Sequence, residues 1–366
     1  PNPRYNAKDV AKKLCELYDA KLILGSATPS IESYYEAVNT NSLFTLKERY
    51  NNASLPKVVV VDMRQERFER NYTLFSKTLV ENTKKTIENG NQAIFLINRR
   101  GFATYTQCLE CGKVVECKKC AIPLIYHAQT NSYKCHYCNY ELKAPIRCPS
   151  CNSEALENFG AGSQKVELQA REIFKDYRIE RLDSDSLSKK NEHIKILKRF
   201  QNKEIDILIG TQMIAKGLDN KNVTLVGVIN ADLSFNLPDY RSSERGFSIL
   251  TQVAGRSGRG EEEGKVIFQT YNEDNIFLKD AQNQDYENFY KSEIELRKLF
   301  DYPPYSKMIR IILSSKNEYR AEKSALEIEL HLSEYLKKLS LDETILVLGP
   351  SPCVINKIKD EYRFNI

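Results

Sequence analysis

Apolar runs of strand length recur along the chain, and between most of them lie stretches whose apolar residues return every three or four positions. Asp9 to Tyr18 reads as an amphipathic helix, and the apolar run Lys21 to Leu24 is expected as a short strand. GSATPS (Gly25 to Ser30) then enters the helical pattern IESYYEAV, with Thr28 as N-cap and Pro29 at the first helical position. KVVVVDM predicts a strand, and Ser76 caps a helix that runs through Ile87 and is stopped by Gly90. A strand from Ala93 to Ile97 feeds NRRGF and a cysteine-rich stretch. Beyond it the pattern predicts a helix (Gln164 to Phe174), a strand (Arg178 to Leu182), a helix (Lys189 to Phe200) and a strand (Ile205 to Ile209). A strand (Val223 to Ile229), a helix (Glu244 to Val253) and a strand (Lys265 to Gln269) follow. Such alternation builds a parallel sheet with helices on both faces, an α/β lobe whose chemistry lies in the loops after the strands.

From about Ala281 the pattern changes. Glu287 to Phe300 is a charged amphipathic helix, YPPY a turn, MIRIILS a strand, and Arg320 to Leu339 a long helix, together a compact α+β domain. Lys357, Lys359 and Arg363 beside Tyr362 and Phe364 suit stacking and neutralisation of single-stranded DNA, or equally a solvated edge.

Eight of the ten cysteines form four C-x-x-C pairs, Cys108/Cys111, Cys117/Cys120, Cys135/Cys138 and Cys148/Cys151. Two sulfurs separated by two residues curl around one ion, and two such pairs complete a closed tetrahedral thiolate site with no open position for water. The count therefore fits two structural Zn2+ ions. A disulfide scaffold is the alternative, but neighbouring C-x-x-C cysteines make poor long-range staples. Spacing alone allows sequential, nested or cross-braced grouping. The alternation in AIPLIYHAQTNSYK, Ala121 to Lys134, reads as a hairpin of zinc-ribbon type and favours nesting: Cys117/Cys120 with Cys135/Cys138 inside, Cys108/Cys111 with Cys148/Cys151 outside. His127 and His136 read as spacers, and Cys15 and Cys353 as buried hydrophobes.

Composition bounds this picture without changing it. The 366 residues suffice for two or three domains; 41% hydrophobic and 28% charged residues are ordinary for a globular chain. A net charge of +5 permits a polyanionic partner without demanding one. No stretch reaches the roughly 18 apolar residues of a membrane span, so no membrane partner is expected. The chain begins at Pro1 and stops at Phe364-Asn365-Ile366 directly after a strand-like run, and is expected to be a fragment.

Three loops bear chemistry. GTQMIAKGLD (Gly210 to Asp219) follows a strand: the Thr211 hydroxyl and nearby N–H groups can hold a phosphate, Gly217 permits close approach, and Asp219 can accept a ribose hydroxyl or orient an arginine. Its plain reading is a strand-to-helix turn. QVAGRSGRG (Gln252 to Gly260) sets Arg256 and Arg259 beside glycines, the form of arginine fingers, or a solvated basic turn. NRRGF (Asn98 to Phe102) can present Arg99 and Arg100 to a nucleic-acid backbone, or pair them with surface carboxylates.

GSATPS, NRRGF, GTQMIAKGLD and QVAGRSGR occur in the order of motifs III, IV, V and VI of superfamily 2 helicases. With the double cysteine module directly after NRRGF, the chain closely resembles one family, the primosomal replication-restart helicases (PriA). ADLSFNLPDYRSSERGFSILTQVAGRSGRG is especially similar, as are YPPYSKMIRI and VLGPSPCVINKIKDEYRF, and the resemblance spans essentially the whole chain. It implies a motor of two RecA-like lobes holding ATP and Mg2+ between them, moving 3′ to 5′ on single-stranded DNA, recognising stalled or D-loop forks and starting primosome assembly. It further implies single-stranded DNA-binding protein and primosome components as partners, and a bacterial, cytoplasmic, nucleoid-associated location.

Carried over by position, Gly217 and Asp219 line the nucleotide cleft, and Arg256 and Arg259 approach the γ-phosphate with Gln252 positioning them. Thr211 and Gln212 touch DNA, as do Arg99 and Arg100, while Ser26, Ala27 and Thr28 couple the two sites. The resemblance also supports the nested pairing. The implied organisation is the tail of a first RecA-like lobe (1–50), the start of a second (51–107), a double-zinc module (108–151), the rest of the second lobe (152–280), and a truncated α+β C-terminal domain (281–366).

The sequence contains no G-x-x-x-x-G-K-[ST] and no D-E-x-H motif before GSATPS, so the chain alone is expected neither to bind ATP tightly nor to hydrolyse it. Leu218 replaces the polar or aromatic residue usual in the family. The runner-up is a non-enzymatic zinc-ribbon DNA-binding or scaffold protein with a degenerate helicase lobe; a third is an RNA-acting relative in the same superfamily.

Overall fold

The structure, a computed structural model, describes residues 5–46, 56–97, 105–127, 130–143, 147–159, 163–182, 192–211, 220–255 and 264–366. The chain forms two compact units, Pro1–Leu43 and Phe44–Ile366.

In the first unit two helices, Ala7–Leu17 and Ile31–Asn39, are joined by Lys8 Nζ donating to Ser33 Oγ at 2.9 Å and by an ion pair from Lys12 to Glu36 at 2.6 Å. The second helix is capped by Ser30, whose hydroxyl accepts from Ser33 N at 3.2 Å, not by Thr28. Thr28 instead donates its N–H to Ser26 Oγ at 3.1 Å. The strand expected at Lys21 to Leu24 does not form. Among the described residues the unit holds no other strand to complete its backbone hydrogen bonds, and Ile23 is exposed.

The second unit is built on a sheet whose strands, in chain order, are β1 (Lys57–Asp62) and β2 (Gln92–Leu96) before the cysteine module. The module contributes β3 (Tyr105–Cys108), β4 (Ile125–His127), β5 (Ser132–Lys134), β6 (Glu141–Lys143) and β7 (Leu156–Phe159). β8 (Ile179–Leu182), β9 (Ile207–Gly210), β10 (Val223–Val228) and β11 (Lys265–Thr270) return to the first sheet. Its order is β1-β11-β10-β2-β9-β8, and every pairing is parallel. β2 and β9 are buried along their whole length, as expected for central strands covered on both faces.

Helix Lys77–Glu88, capped by Ser76 on Leu79 N at 3.1 Å and followed by Gly90 at φ +78°, lies so close to the sheet that a Cβ on Gly227 would stand 2.7 Å from a Leu79 methyl. Phe75, Phe95 and Phe174 meet at centroid distances of 5.4 to 5.8 Å in the centre of this core. Each ring contributes about 2 kcal/mol relative to exposure.

The module folds as a five-stranded antiparallel sheet, β6-β5-β4-β3-β7, of which the β4–β5 hairpin was the expected part. The C-terminal domain is α+β. β12 (Ile312–Ser315), β13 (Ser351–Ile358) and β14 (Glu361–Asn365) form an antiparallel sheet in the order β12-β14-β13. Against it the small residues Ala321 and Ala325 of helix Glu318–Lys338 let Phe364 approach. The strand expected over MIRIILS begins only at Ile312 and runs to Ser315, paired with β14; before it Ile311 exchanges N–H···O bonds with Ile366 at 3.0 Å, and Met308 to Arg310 add no strand. Among the described residues no helix is long and apolar enough to cross a membrane.

Candidate metal centres and the loops around them

The eight pair cysteines gather into two sets, Cys108, Cys111, Cys148 and Cys151 in one and Cys117, Cys120, Cys135 and Cys138 in the other, with all sulfurs of a set within 4.8 Å of one another. This is the nested grouping. Cys108 and Cys151 sulfurs are 3.6 Å apart, Cys111 and Cys148 3.7 Å, and Cys117 and Cys138 3.7 Å. Four sulfurs each about 2.3 Å from one tetrahedral Zn2+ stand about 3.8 Å from each other, so the sets have the edge length the ion requires. Among the described residues none of the ten cysteines is in a disulfide; Cys353 is buried, and Cys15 is only partly so.

One local fold repeats at all four knuckles. The residue after the second cysteine donates its N–H to the carbonyl of the first: Gly112 to Cys108 at 2.9 Å, Ala121 to Cys117 at 2.8 Å, Asn139 to Cys135 at 3.0 Å and Asn152 to Cys148 at 2.9 Å. Each of these four residues has positive φ, at +71°, +48°, +57° and +62°. The N–H of the first cysteine then closes the turn on the carbonyl five residues on, Lys113, Ile122, Tyr140 and Ser153, at 2.7 to 2.9 Å. A left-handed residue reverses the chain so that both sulfurs face one point. Glycine and asparagine adopt it readily; alanine does so under strain.

Four thiolates so close repel one another. Interaction between the Cys120 and Cys135 sulfurs holds Cys135 below the ordinary thiol range and drives Cys120 far up. Burial pushes Cys111 up to about 12 and Cys117 up to about 11. A divalent cation relieves that conflict by binding all four thiolates at once and offsetting two of their four negative charges, and the residues present fit it.

The outer knuckle is bound to the parallel sheet. Gln107 Nε2 donates to Gly112 O at 2.9 Å and to the buried carboxylate of Asp232 at 3.3 Å. A Cβ on Gly112 would lie 2.1 Å from Tyr271 O, so only glycine fits where the knuckle meets the end of β11. Around the inner knuckle, Tyr302 Oη donates to Cys120 O at 2.8 Å, and Tyr240 N donates to Tyr137 Oη at 3.3 Å. His136 is buried, bonds through Nδ1 to Pro352 O, and its own carbonyl accepts from Ser351 Oγ at 2.8 Å and Asn365 Nδ2 at 3.3 Å. Burial lowers its pKa to about 4. His136 belongs to neither sulfur set, as a spacer should, yet it is the seat of the C-terminal domain on the module. His127 stacks on it at 5.4 Å.

Among the other sequence-predicted residues, Thr211 is buried directly after β9. Gln252 is exposed on helix Ser242–Ala254 and donates to Ser248 Oγ at 3.1 Å. Ser26 and Ala27 are exposed in the first unit, with Thr28 partly covered. Arg99, Arg100, Gln212, Gly217, Asp219, Arg256 and Arg259 lie outside the described residues. The strands that lead into NRRGF and GTQMIAKGLD are neighbours, with Leu96 and Gly210 in register. The described ends of β2 and β9 therefore lie side by side at the carboxyl edge of the sheet, where ligands of parallel sheets bind. Nothing local in the sequence marks the anchoring residues Gln107, Asp232, Tyr240 and Tyr302; Gly112, Asn139 and Asn152 after their C-x-x-C pairs are the available signal for the knuckle turns.

The parallel six-stranded sheet, with a module of two four-cysteine sets inserted after its second strand, defines the second lobe of a RecA-like helicase. The conserved C-terminal helicase domain model matches residues 151–261, the Cys-rich region of PriA DNA helicase matches 117–143, and the C-terminal domain of primosomal protein N matches 298–366. The chain is 42% identical to replication restart protein PriA of Bacillus subtilis (strain 168) over 99% of its own length and 44% of that protein's. Against PriA of Synechocystis sp. it is 41% identical over 100% and 44%, and against PriA of Borreliella burgdorferi 37% over 100% and 54%. Among solved structures, S. cerevisiae Dbp5 bound to RNA and ADP BeF3 aligns at 13% identity and TM-score 0.39 over 81% of this chain and 60% of that one, too distant a likeness to bear on function. The chain belongs to the family of replication restart protein PriA, and it spans about half the length of the curated relatives it matches.

Proposed function

We propose that the chain is the second-lobe and module portion of an ATP-dependent 3′ to 5′ DNA helicase that engages stalled or D-loop forks and initiates primosome assembly for replication restart. The observation that carries the reading is the hydrogen-bonded seating of both four-cysteine sets on the parallel-sheet lobe. A module fixed to the lobe at Asp232 and Tyr240 moves as the lobe moves, which is what a strand-separating platform requires.

In this reading two Zn2+ ions, when bound, supply closed cross-links that hold the knuckles. Arg256 and Arg259 meet the γ-phosphate of ATP held with Mg2+ by a partner lobe, and Gln252 orients them. Gly217 and Asp219 line the cleft. Arg99, Arg100, Thr211 and Gln212 grip the DNA backbone, and Ser26 to Thr28 couple grip to hydrolysis. Closure of the cleft desolvates the arginine–phosphate contacts, where charge stabilisation is strongest. Single-stranded DNA-binding protein and primosome components are the proposed partners, in the bacterial cytoplasm at the nucleoid. A sequence-independent grip predicts steep loss of affinity with salt. The chain alone, without a Walker A lysine, is inactive as an ATPase.

The test uses the longest natural polypeptide that contains this sequence. The expected result is ATP hydrolysis stimulated by forked DNA, not by RNA, abolished by Arg259→Ala with DNA affinity retained, and two zinc ions per chain. DNA binding without stimulated hydrolysis favours the scaffold reading, and stimulation by RNA favours an RNA-acting relative. Steady DNA-stimulated turnover by the chain alone overturns the claim that it is inactive.

A further inference from the structure

The contacts around the inner knuckle converge on one arginine. Arg297, in the last turn of helix Tyr286–Leu299, is 1% exposed. Its Nε donates to Glu293 at 2.9 Å, one terminal nitrogen to Glu244 at 2.7 Å, and the other to Pro303 O at 3.1 Å. The guanidinium carbon lies 5.2 Å from the centroid of the Tyr240 ring. Tyr240 stacks on Tyr302 at 4.9 Å, and Tyr302 bonds the carbonyl of Cys120, a member of the inner sulfur set. At the other end, Glu244 stands in the first turn of helix Ser242–Ala254, the helix that carries Gln252.

A continuous series of hydrogen bonds, ion pairs and ring contacts thus runs from the helix of Gln252, through Glu244, Arg297 and the Tyr240–Tyr302 stack, to the backbone of the inner knuckle. Stability alone does not account for it. Well-packed apolar side chains often do as well or better than a buried ion triad, whereas a planar five-donor fork fixes the mutual angles of the segments it bridges. Four segments meet here: the arginine's own helix, the turn at Pro303, the helix of Glu244, and the Tyr240 loop.

We infer that Arg297 is a positioning residue that transmits engagement of the Cys-rich module by DNA to the helix bearing Gln252, so that fork contact at the module sets the rate of nucleotide hydrolysis. The inference rests on the motor reading given above. It assigns Arg297 no contact with nucleotide or DNA; its effect passes through Glu244 and Tyr240.

The experiment compares wild type, Arg297→Lys and the double variant Arg297→Met/Glu293→Gln in the longest natural polypeptide containing the sequence. The double variant removes the buried carboxylate of Glu293 together with its partner and leaves unpaired only Glu244, the more exposed of the two carboxylates, so zinc content and unfolding temperature report whether folding is retained. Zinc content, unfolding temperature, affinity for forked DNA, and kcat with and without that DNA are measured. The expected result is two zinc ions per chain, with affinity and DNA-free kcat within about twofold of wild type and DNA-stimulated kcat lowered about tenfold or more in both variants. Stimulation within about twofold of wild type in either zinc-replete variant overturns the inference, as does parallel loss of zinc, affinity and DNA-free kcat in both, which assigns Arg297 to folding alone. A wild-type polypeptide without DNA-stimulated hydrolysis overturns the motor reading itself, and is told apart because no variant is involved.

Discussion

Gln107 holds the Asp232 carboxylate at 3.3 Å with the same amide nitrogen that holds Gly112 O at 2.9 Å, so the outer cysteine knuckle and the parallel sheet share one buried polar junction. Asp232 is 1% exposed and also accepts from Thr270 Oγ1 and, at 2.7 Å, from Tyr271 N. Burial raises its pKa, and the donors from Thr270, Tyr271 and Gln107 work against that rise. Asp232→Asn puts an NH2 group among donors and leaves at least one of them unpaired, at a cost of about 1–3 kcal/mol. A lower urea midpoint and faster chelator extraction of the outer zinc than of the inner are expected. Unchanged extraction of the outer ion shows that the knuckle does not depend on the junction.

Ala121 is the one knuckle-turn residue that is neither glycine nor asparagine, and its φ is +48°. An L-residue with a Cβ is disfavoured there by about 1 kcal/mol. Ala121 is exposed, so no packing is lost by replacing it. Ala121→Gly, or Ala121→Asn to match Asn139 and Asn152, is expected to slow zinc release from the inner set severalfold in competition with a chromogenic chelator. Faster release from both variants contradicts the strain argument.

Strand-to-helix alternation was legible because the buried strands are near-continuous apolar runs: QAIFL and ILIG need no context to be recognised. The knuckles were legible because ligand number and spacing are local properties, and the β4–β5 hairpin carried the grouping. Lys21 to Leu24 misled for the same reason. Three consecutive apolar residues, Leu22 to Leu24, satisfy a strand pattern, but a strand also needs a partner, and pairing is not written in the run itself. The anchoring of the module was hidden because Asp232, Tyr240, Arg297 and Tyr302 are ordinary residues in sequence, and only the fold brings them together across separations as long as the 182 residues between Cys120 and Tyr302.

Cys117→Ser tests whether the two metal sets are independent. Cys117 is buried, its sulfur is 3.7 Å from Cys138, and its N–H closes a knuckle on Ile122 O. Metal content is expected to fall from two zinc ions to one, with the outer set retained through its own contacts to Gln107 and Tyr271. Loss of the inner ion is also expected to free Cys120 O from Tyr302 and His136 from Pro352, so under the proposed helicase reading fork unwinding by the longest natural polypeptide containing the sequence should fall further than its DNA-free ATP hydrolysis. Wild-type unwinding by this variant removes the module from the mechanism, and loss of both ions shows that the outer set depends on the inner.

Glu293 makes the stability of the unit depend on pH. Its carboxyl is 3% exposed, and burial pushes its pKa up to about 7 despite Arg297, with the nearby charge of Glu244 adding to the rise and Ser243 opposing it. A carboxyl whose pKa is higher folded than unfolded contributes stability that is fully present below its unfolded value of about 4.3 and is lost as pH rises through the folded value. Wild-type stability should therefore decline between pH 5.5 and 8 by a component that Glu293→Gln lacks. Zinc loading and the remaining titrations are common to both proteins, so the difference in unfolding free energy isolates this group. That difference should move in favour of the glutamine variant by on the order of 2 kcal/mol across the interval. Urea titrations of the zinc-loaded proteins at pH 5.5, 7 and 8 measure it. A difference that stays constant with pH means that Glu293 is fully ionised throughout, its charge neutralised by Arg297.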